Sequence, residues 1–476
     1  MADRRSTTDR HRNNYDLAII GAGSAGFSAA IAAAEQDAQV ALIGHGTIGG
    51  TCVNVGCVPS KTMIRAAEAL HGARAASRFP GLTGAARVSD WRSLIAAKDD
   101  LVATLRREKY SDLLPEYDSV TYLEGAARLN GQGVRVNGEA LAAEKIVIAT
   151  GASPALPDIP GMPYIPHLTS TTALELADLP RSLLIVGGGY IGCELAQMFA
   201  RAGVAVTLVT RSRLLPGAEP EIANALTRYL TDEGIAIRTG LGYRRIVSSE
   251  DGVALAIDVH GAPETLTAEK MLLTTGRTPN TSGLGLAEAG VRLAPAGGIA
   301  VDDRMRTTRP GVYAAGDVTG HDQFVYMAAH GARIAALNAL NGDSHVYDNT
   351  VMPWVVFTDP QVAGVGLSEA AARKAGFAVK TSTVPLAQLA RALAARDTRG
   401  LIKLVADANS DRLLGGQILA PEGADSIQTM ALAIRHGMTT KALGETIFPY
   451  LTTVEGLKLA ALGFARDVTK LSCCAG

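Results

Sequence analysis

YDLAIIGAGSAGFSAAIAAAEQDAQVALIG, residues 15–44, opens with an apolar run, Tyr15–Ile20, that stops at Gly21. GAGSAG then leads into an alanine-rich helical stretch, Phe27–Gln36, and QVALIG (Gln39–Gly44) reads as the next strand. Strand, glycine turn, helix and strand together make the first unit of a dinucleotide-binding fold. The same order recurs in LLIVGGGYIGCELAQMFARAGVAVTLVT, residues 183–210. One GxGxxG is weak evidence, because glycine turns arise in many contexts. Two complete units point to two dinucleotide sites, since chance has to place the flanking strands and helices twice. Gly21 and Gly187 serve the tight turns, and Gly23 and Gly189 let the backbone approach a pyrophosphate. Gly26 and Gly192 let helix and strand pack closely. Each helix N-terminus then holds phosphates through free N–H groups and its dipole.

Around these units lies a chain of 476 residues, too long for one core, with about three domains expected. It is 47% hydrophobic and 19% charged, with a formal net charge of −1, so nothing steers it toward nucleic acid or an anionic membrane. Leu17–Ala34 carries no charge and has the length of a membrane span. Its three glycines and the acidic residues at either end, Asp16 and Glu35, favour the nucleotide unit instead. Residues 1–14 read as a polar disordered arm without an apolar signal core, so a cytoplasmic protein is expected. Beyond residue 350 strand runs and amphipathic helices follow without a glycine fingerprint, which predicts a separate α+β domain for assembly.

GGTCVNVGCVPSK, residues 49–61, follows the first unit directly. Cys52 and Cys57 precede a segment, Thr62–Leu70, that reads as a helix, and a helix dipole lowers a thiolate pKa. The bland alternative is two buried apolar cysteines. Their spacing beside a nucleotide unit, in a chain with only five cysteines, argues for redox chemistry. Cys193 reads as a packing residue where the second helix meets its sheet.

With ATGASP (149–154), TTGRTPN (274–280) and YAAGD (313–317), this segment resembles the class I flavoprotein disulfide reductases, the family of glutathione reductase. The likeness runs from residue 15 nearly to the end. It implies an α/β fold of two Rossmann-like dinucleotide-binding domains plus an α+β dimerisation domain. FAD binding falls to residues 15–153 and 281–350, NADPH binding to 154–280, and dimerisation to 351–476 with a Cys-Cys tail. The resemblance places Gly21, Gly23, Ala25, Gly26, Gly50, Thr51, Lys61, Ala126, Thr150, Gly151 and Asp317 at FAD. Gly187, Gly189, Tyr190, Gly192, Arg211, Arg213 and Gly276 fall at the nicotinamide nucleotide. It makes Cys52 the interchange thiol and Cys57 the thiol that packs on the flavin. Lys61 stands near the flavin with Glu194 as its partner.

Two positions bear on cofactor choice. An acidic residue at the end of the second strand hydrogen-bonds a ribose hydroxyl. The second unit has Thr210 there, followed by Arg211 and Arg213, which suits a 2′-phosphate and so NADPH over NADH; surface arginines without a ligand are the alternative. The first unit has Gly44 where the family has glutamate; His45 beside it is open to two readings, a substitute for that contact or, favoured here, a solvent-exposed side chain.

FPYLTTVEGLKLAA, residues 448–461, keeps the family's glutamate as Glu455 but has Tyr450 in place of its histidine. A tyrosine, with a pKa of about 10, is a poor proton shuttle for a dithiol at neutral pH. The chain ends LSCCAG, with Cys473 and Cys474 adjacent. On the residues alone this pair is open to three readings: capture of a soft metal, a second redox pair, or an inert tail. Taken together, the constellation is similar to the mercuric-ion-reducing branch of the family. That likeness implies a substrate, Hg(II) as a thiol complex, held by Cys52, Cys57, Tyr110, Tyr450, Cys473 and Cys474. It also implies a homodimer whose active sites are shared between subunits. A reductase of small disulfides and a mercury-binding protein without turnover are the alternatives.

Overall fold

Two parallel sheets grow from the two glycine units; the computed structural model describes residues 14–259 and 261–471. The described parts of Met1–Ser60, Ala96–Ala155 and Arg277–Asn349 form one compact unit, and those of Lys61–Ile95, Leu156–Gly276 and Thr350–Gly476 a second.

In the first unit the sheet order is Val312–Ala314, Ala143–Ile148, Tyr15–Ile20, Val40–Gly44, Val120–Glu124, all parallel. Strands buried on both faces read as continuous apolar runs, and YDLAII and VALIG do. Helix Ser24–Ala34 and helix Val325–Asn341 pack through Ala29, Ala33, Ala332 and Ala335 in one cluster with the sheet's Leu17 and Leu42. Side chains this small let helix and sheet come close, which is why so few aromatics are needed. The helix begins at Ser24, ahead of the predicted Phe27, because Gly23 already serves as its N-cap.

The second unit holds Ala236–Arg238, Ala205–Val209, Ser182–Val186 and Lys270–Leu273 as a parallel sheet beside an antiparallel three-stranded one. It also holds an antiparallel five-stranded sheet running Trp354–Val356, Gln361–Gly366, Leu413–Ala420, Leu401–Asp407, Val379–Pro385. Helices Gly423–Arg435 and Glu455–Leu462 cover it through Ile427, Met430, Leu457 and Ala461. Among the described residues no helix is long and apolar enough to cross a membrane.

Candidate active site

The cysteine segment departs from the predicted single helix N-terminus. Cys52 lies inside a six-residue helix, Gly50–Val55, and Cys57 opens a new one, Cys57–Ala75. Gly56 makes the break, at φ −123° and ψ −109°, and a Cβ there would stand 2.9 Å from the Thr51 carbonyl oxygen. Only Cys57 therefore sits at the start of a long helix. Cys52 is half-buried and Cys57 exposed.

The segment is fastened to the first fingerprint. Gly49 N–H donates to the Ala22 carbonyl at 2.9 Å, and Gly23 and Gly49 form a parallel bridge. A Cβ on Gly50 would come 2.6 Å from Gly23 Cα, so glycine at both positions allows the close approach. Asn54 donates to the carbonyls of Ile48 and Gly50 at 2.9 and 2.8 Å, and Arg106 donates to Asn54 at 3.2 Å. Sequence reasoning missed both braces, which carry no motif of their own.

Tyr110 sits in a π-helical turn, Arg107–Ser111, a local irregularity common at functional sites. Its ring meets Phe27 edge-on at 4.9 Å, and its hydroxyl lies 3.3 Å from Ser24 Oγ. Burial holds its pKa above the ordinary tyrosine value, and the charges of Cys52 and Cys57 add to that. Cys52, Cys57 and Tyr110 thus share one neighbourhood.

Asp317 opens a short turn, Asp317–Thr319, with Arg277 Nε at 3.7 Å from its carboxylate. Burial pushes the Asp317 pKa up and the Arg277 pKa down, so for both groups desolvation outweighs their mutual attraction. A loose ion pair in such surroundings has hydrogen-bonding capacity left for a hydroxylated ligand. Arg277 also donates to the Ala152 carbonyl. It stands in TTGRTPN, yet its place at this carboxylate could not be read from that motif. Thr150 and Asn280 exchange hydrogen bonds at 2.8 and 2.9 Å, and Asn280 N–H donates to Gly151 at 2.9 Å. A Cβ on Gly26 would overlap the Gly21 carbonyl, the tight packing a phosphate-facing helix requires. Ala25 is buried and Ala126 exposed. The chain's glycine cradle, backbone turn and half-buried Asp317 therefore fit a flavin dinucleotide.

In the second unit Lys61 Nζ lies 2.7 Å from Glu194 Oε2 and 4.8 Å from the centre of the Phe357 ring. Phe357 N–H donates to Glu194 Oε1 at 2.9 Å, so this buried carboxylate is satisfied on both oxygens. Tyr190 stacks on Trp354 at 5.6 Å, and burial pushes its pKa up to about 12. A Cβ on Gly192 would overlap the Gly187 carbonyl, repeating the first fingerprint's packing. The two arginines expected at a 2′-phosphate differ. Arg211 is exposed at the strand end, whereas Arg213 Nη2 donates to the Pro216 and Ala218 carbonyls at 2.8 and 2.7 Å. Gly276 has φ +109°. Tyr450 is 47% exposed, on a loop with Ile447 at 94% and Leu451 at 43%. Glu455 caps that loop, accepting from Leu451 N–H at 3.2 Å. Cys473 and Cys474 lie outside the described residues.

Paired nucleotide units with a cysteine segment on the first define a class. The chain belongs to the pyridine nucleotide-disulphide oxidoreductase family, which residues 15–336 match, and residues 352–461 match that family's dimerisation domain. Among individual relatives, the mercuric reductase of Lysinibacillus sphaericus is 45% identical over 468 residues, 98% of this chain and 85% of its own. That of Streptomyces lividans is 45% identical over 471 residues, covering 97% and 98%. The solved Cu(II) complex of the HOCl-induced flavoprotein disulfide reductase RclA from Escherichia coli is similar at TM-score 0.82 and 32% identity, covering 94% of this chain and 99% of its own.

Proposed function

We propose that this protein reduces Hg(II) to Hg(0) with NADPH as electron donor, using FAD and the Cys52–Cys57 pair. The observation that carries the reading is the company those cysteines keep. They lie near Tyr110, on a segment hydrogen-bonded to the first glycine turn. The likeness to mercuric reductases over nearly the whole chain supports the same substrate.

In this reading residues 15–153 and 281–350 hold FAD and 154–280 hold NADPH. Gly21, Gly23, Ala25, Gly26, Gly50 and Thr51 receive the flavin's pyrophosphate end, with Ala126, Thr150, Gly151 and Asp317 along the rest. FAD supplies two-electron transfer between the nicotinamide and the thiols. Cys57, first residue of its helix, has the positive end of the helix dipole beside its sulfur, which favours the thiolate. Lys61, one turn further on and held by Glu194, provides fixed positive charge. Mercury enters as a thiol complex. Cys473 and Cys474 displace its ligands one at a time, and Cys52 and Cys57 displace those in turn, so the metal keeps two sulfurs throughout. NADPH gives up two electrons and leaves as NADP⁺ with release of a proton. Mercury takes both electrons and departs as the neutral atom, which thiolates bind poorly, and Cys52 and Cys57 are left as thiolates.

The enzyme works as a homodimer through residues 351–476. Ile447, Tyr450 and Leu451, apolar and exposed in one chain, suit a surface covered by a second copy. Tyr450, Glu455 and the tail thiols then serve the partner's Cys52. The likeness to RclA favours a disulfide substrate as the second reading.

One experiment separates the two: NADPH oxidation is followed with Hg(II) under excess thiol and, separately, with small disulfides. Turnover of mercury and not of disulfides is expected; the reverse overturns the proposal. Mixing inactive Cys52→Ala subunits with inactive Cys473→Ala, Cys474→Ala subunits should recover part of the activity, because the heterodimer has one complete site. A mixture that stays inactive places tail and cysteine pair in one chain.

A further inference from the structure

Gly44 ends the second strand of the first unit, Val40–Gly44, and is buried. At that strand end dinucleotide units carry an acidic residue that hydrogen-bonds a ribose hydroxyl. Glycine supplies no such group. Its backbone does not demand glycine either, since Gly44 is outside the left-handed region. What excludes a side chain is a neighbour. A Cβ built on Gly44 would overlap the Tyr122 hydroxyl and come 2.7 Å from Tyr122 Cε2 and 2.9 Å from Cζ.

Tyr122 lies on the adjoining parallel strand, Val120–Glu124, opposite Leu42, while Glu124 is opposite Gly44. Its ring leans along the strand, so its hydroxyl edge fills the volume where a side chain from position 44 would begin. The Tyr122 ring packs on the first unit's core and no described residue hydrogen-bonds its hydroxyl. Burial, helped by the charge of Glu124, holds its pKa above the ordinary value, so the phenol is neutral and can both donate and accept. His45, next in sequence, is exposed.

We propose that Tyr122 makes the adenosine-ribose contact of the flavin dinucleotide, and that position 44 is glycine to give its phenol room. The inference rests on the reading that the first unit holds FAD. A neutral phenol replaces a carboxylate at the same point in space, delivered from the neighbouring strand. Tyr122 is in these terms a cofactor-positioning residue remote from the thiols.

The test is titration of the apoprotein with FAD, read by flavin fluorescence. Tyr122→Phe removes one hydroxyl and should weaken binding about 3- to 10-fold, the range of one neutral hydrogen bond. With FAD lacking the adenosine 2′-hydroxyl, wild type and Tyr122→Phe should bind alike, because the missing contact is the same one. Glu124→Gln should leave both flavins unaffected. Gly44→Glu alone should lose flavin to the collision with Tyr122, and Gly44→Glu with Tyr122→Val should regain it. The proposal is overturned if Tyr122→Phe binds FAD as wild type does, or loses both flavins equally, which marks a purely structural role. It also falls if Glu124→Gln shows the loss instead. A wild-type apoprotein that binds no FAD refutes the cofactor assignment itself, a distinct result.

Discussion

The two glycine units are alike in backbone and unlike at their strand ends. In each, the third glycine presses on the carbonyl of the first, so helix and strand meet in the same way at Gly26 and at Gly192. In each, a further strand of the parallel sheet delivers a threonine and a glycine close by, Thr150–Gly151 after Ala143–Ile148 and Thr275–Gly276 after Lys270–Leu273. The second strands then part company. One stops at a glycine filled from next door by Tyr122, and the other runs into Thr210 and the exposed Arg211. On the proposed reading the shared part receives a pyrophosphate. On the same reading the unshared part selects which nucleotide is held, with few residues and no change of fold.

The sharpest way to break that comparison is at the shared part. Gly26→Ala and Gly192→Ala each force a methyl onto a backbone carbonyl, at a cost of about 3 kcal/mol, or about a hundredfold in occupancy. Gly26→Ala should yield a colourless protein. Gly192→Ala should stay yellow but resist reduction by NADPH in an anaerobic titration. If both lose the yellow colour, the two units do not hold separate nucleotides.

A second difference lies in how each unit is held together. The second is laced by buried and half-buried ions: Arg201 binds Glu233 at 2.7 Å and Asp359 at 2.9 Å, and Arg399 binds Asp397 at 2.8 Å and Asp359 at 3.0 Å. Burial alone would raise the Asp397 pKa, but hydrogen bonds from Arg399 and the charge of Arg78 pull it down to about 2. A depressed carboxylate contributes stability above its unfolded pKa and loses it as pH falls through the folded one. About 2 kcal/mol should therefore disappear between about pH 4 and pH 2. Urea melts of wild type and Asp397→Asn should differ at pH 6 and converge at pH 2; parallel curves would remove Asp397 from the account.

The smallest expected effect concerns the strand end itself. Arg211→Ala should raise the KM for NADPH about 10-fold and leave that for NADH unchanged, the loss of one charge-assisted contact. Arg213→Ala should lower the melting temperature instead, because its guanidinium braces the Pro216–Ala218 turn. Equal losses of NADPH preference would mean that both arginines face the phosphate.

Much of this was legible in the residues because it is local. Gly21 to Gly26 and Gly187 to Gly192 carry their meaning in spacing, and CxxxxC announces itself beside them. Helix starts were less legible: Gly56 reads as a passing glycine, yet it ends one helix so that Cys57 can open the next. Contacts made across the fold left no trace in the order of residues. Arg106 on Asn54, Arg277 on Asp317 and Tyr122 against Gly44 each join segments far apart in the chain. Arg213 shows another limit: Nη2 of a cation in the expected place turns onto its own loop, while its buried Nη1 has no hydrogen-bond partner among the described residues.

The hydrogen bond from Gly49 to Ala22 joins the cysteine segment to the first glycine turn. A substitution that shifts that turn is therefore felt directly by the segment that carries Cys52 and Cys57. An aligned pair of soft thiols with no electron supply would sequester the metal without disposing of it. Tying the cysteine segment to the glycine turn places the two groups within one hydrogen-bonded frame.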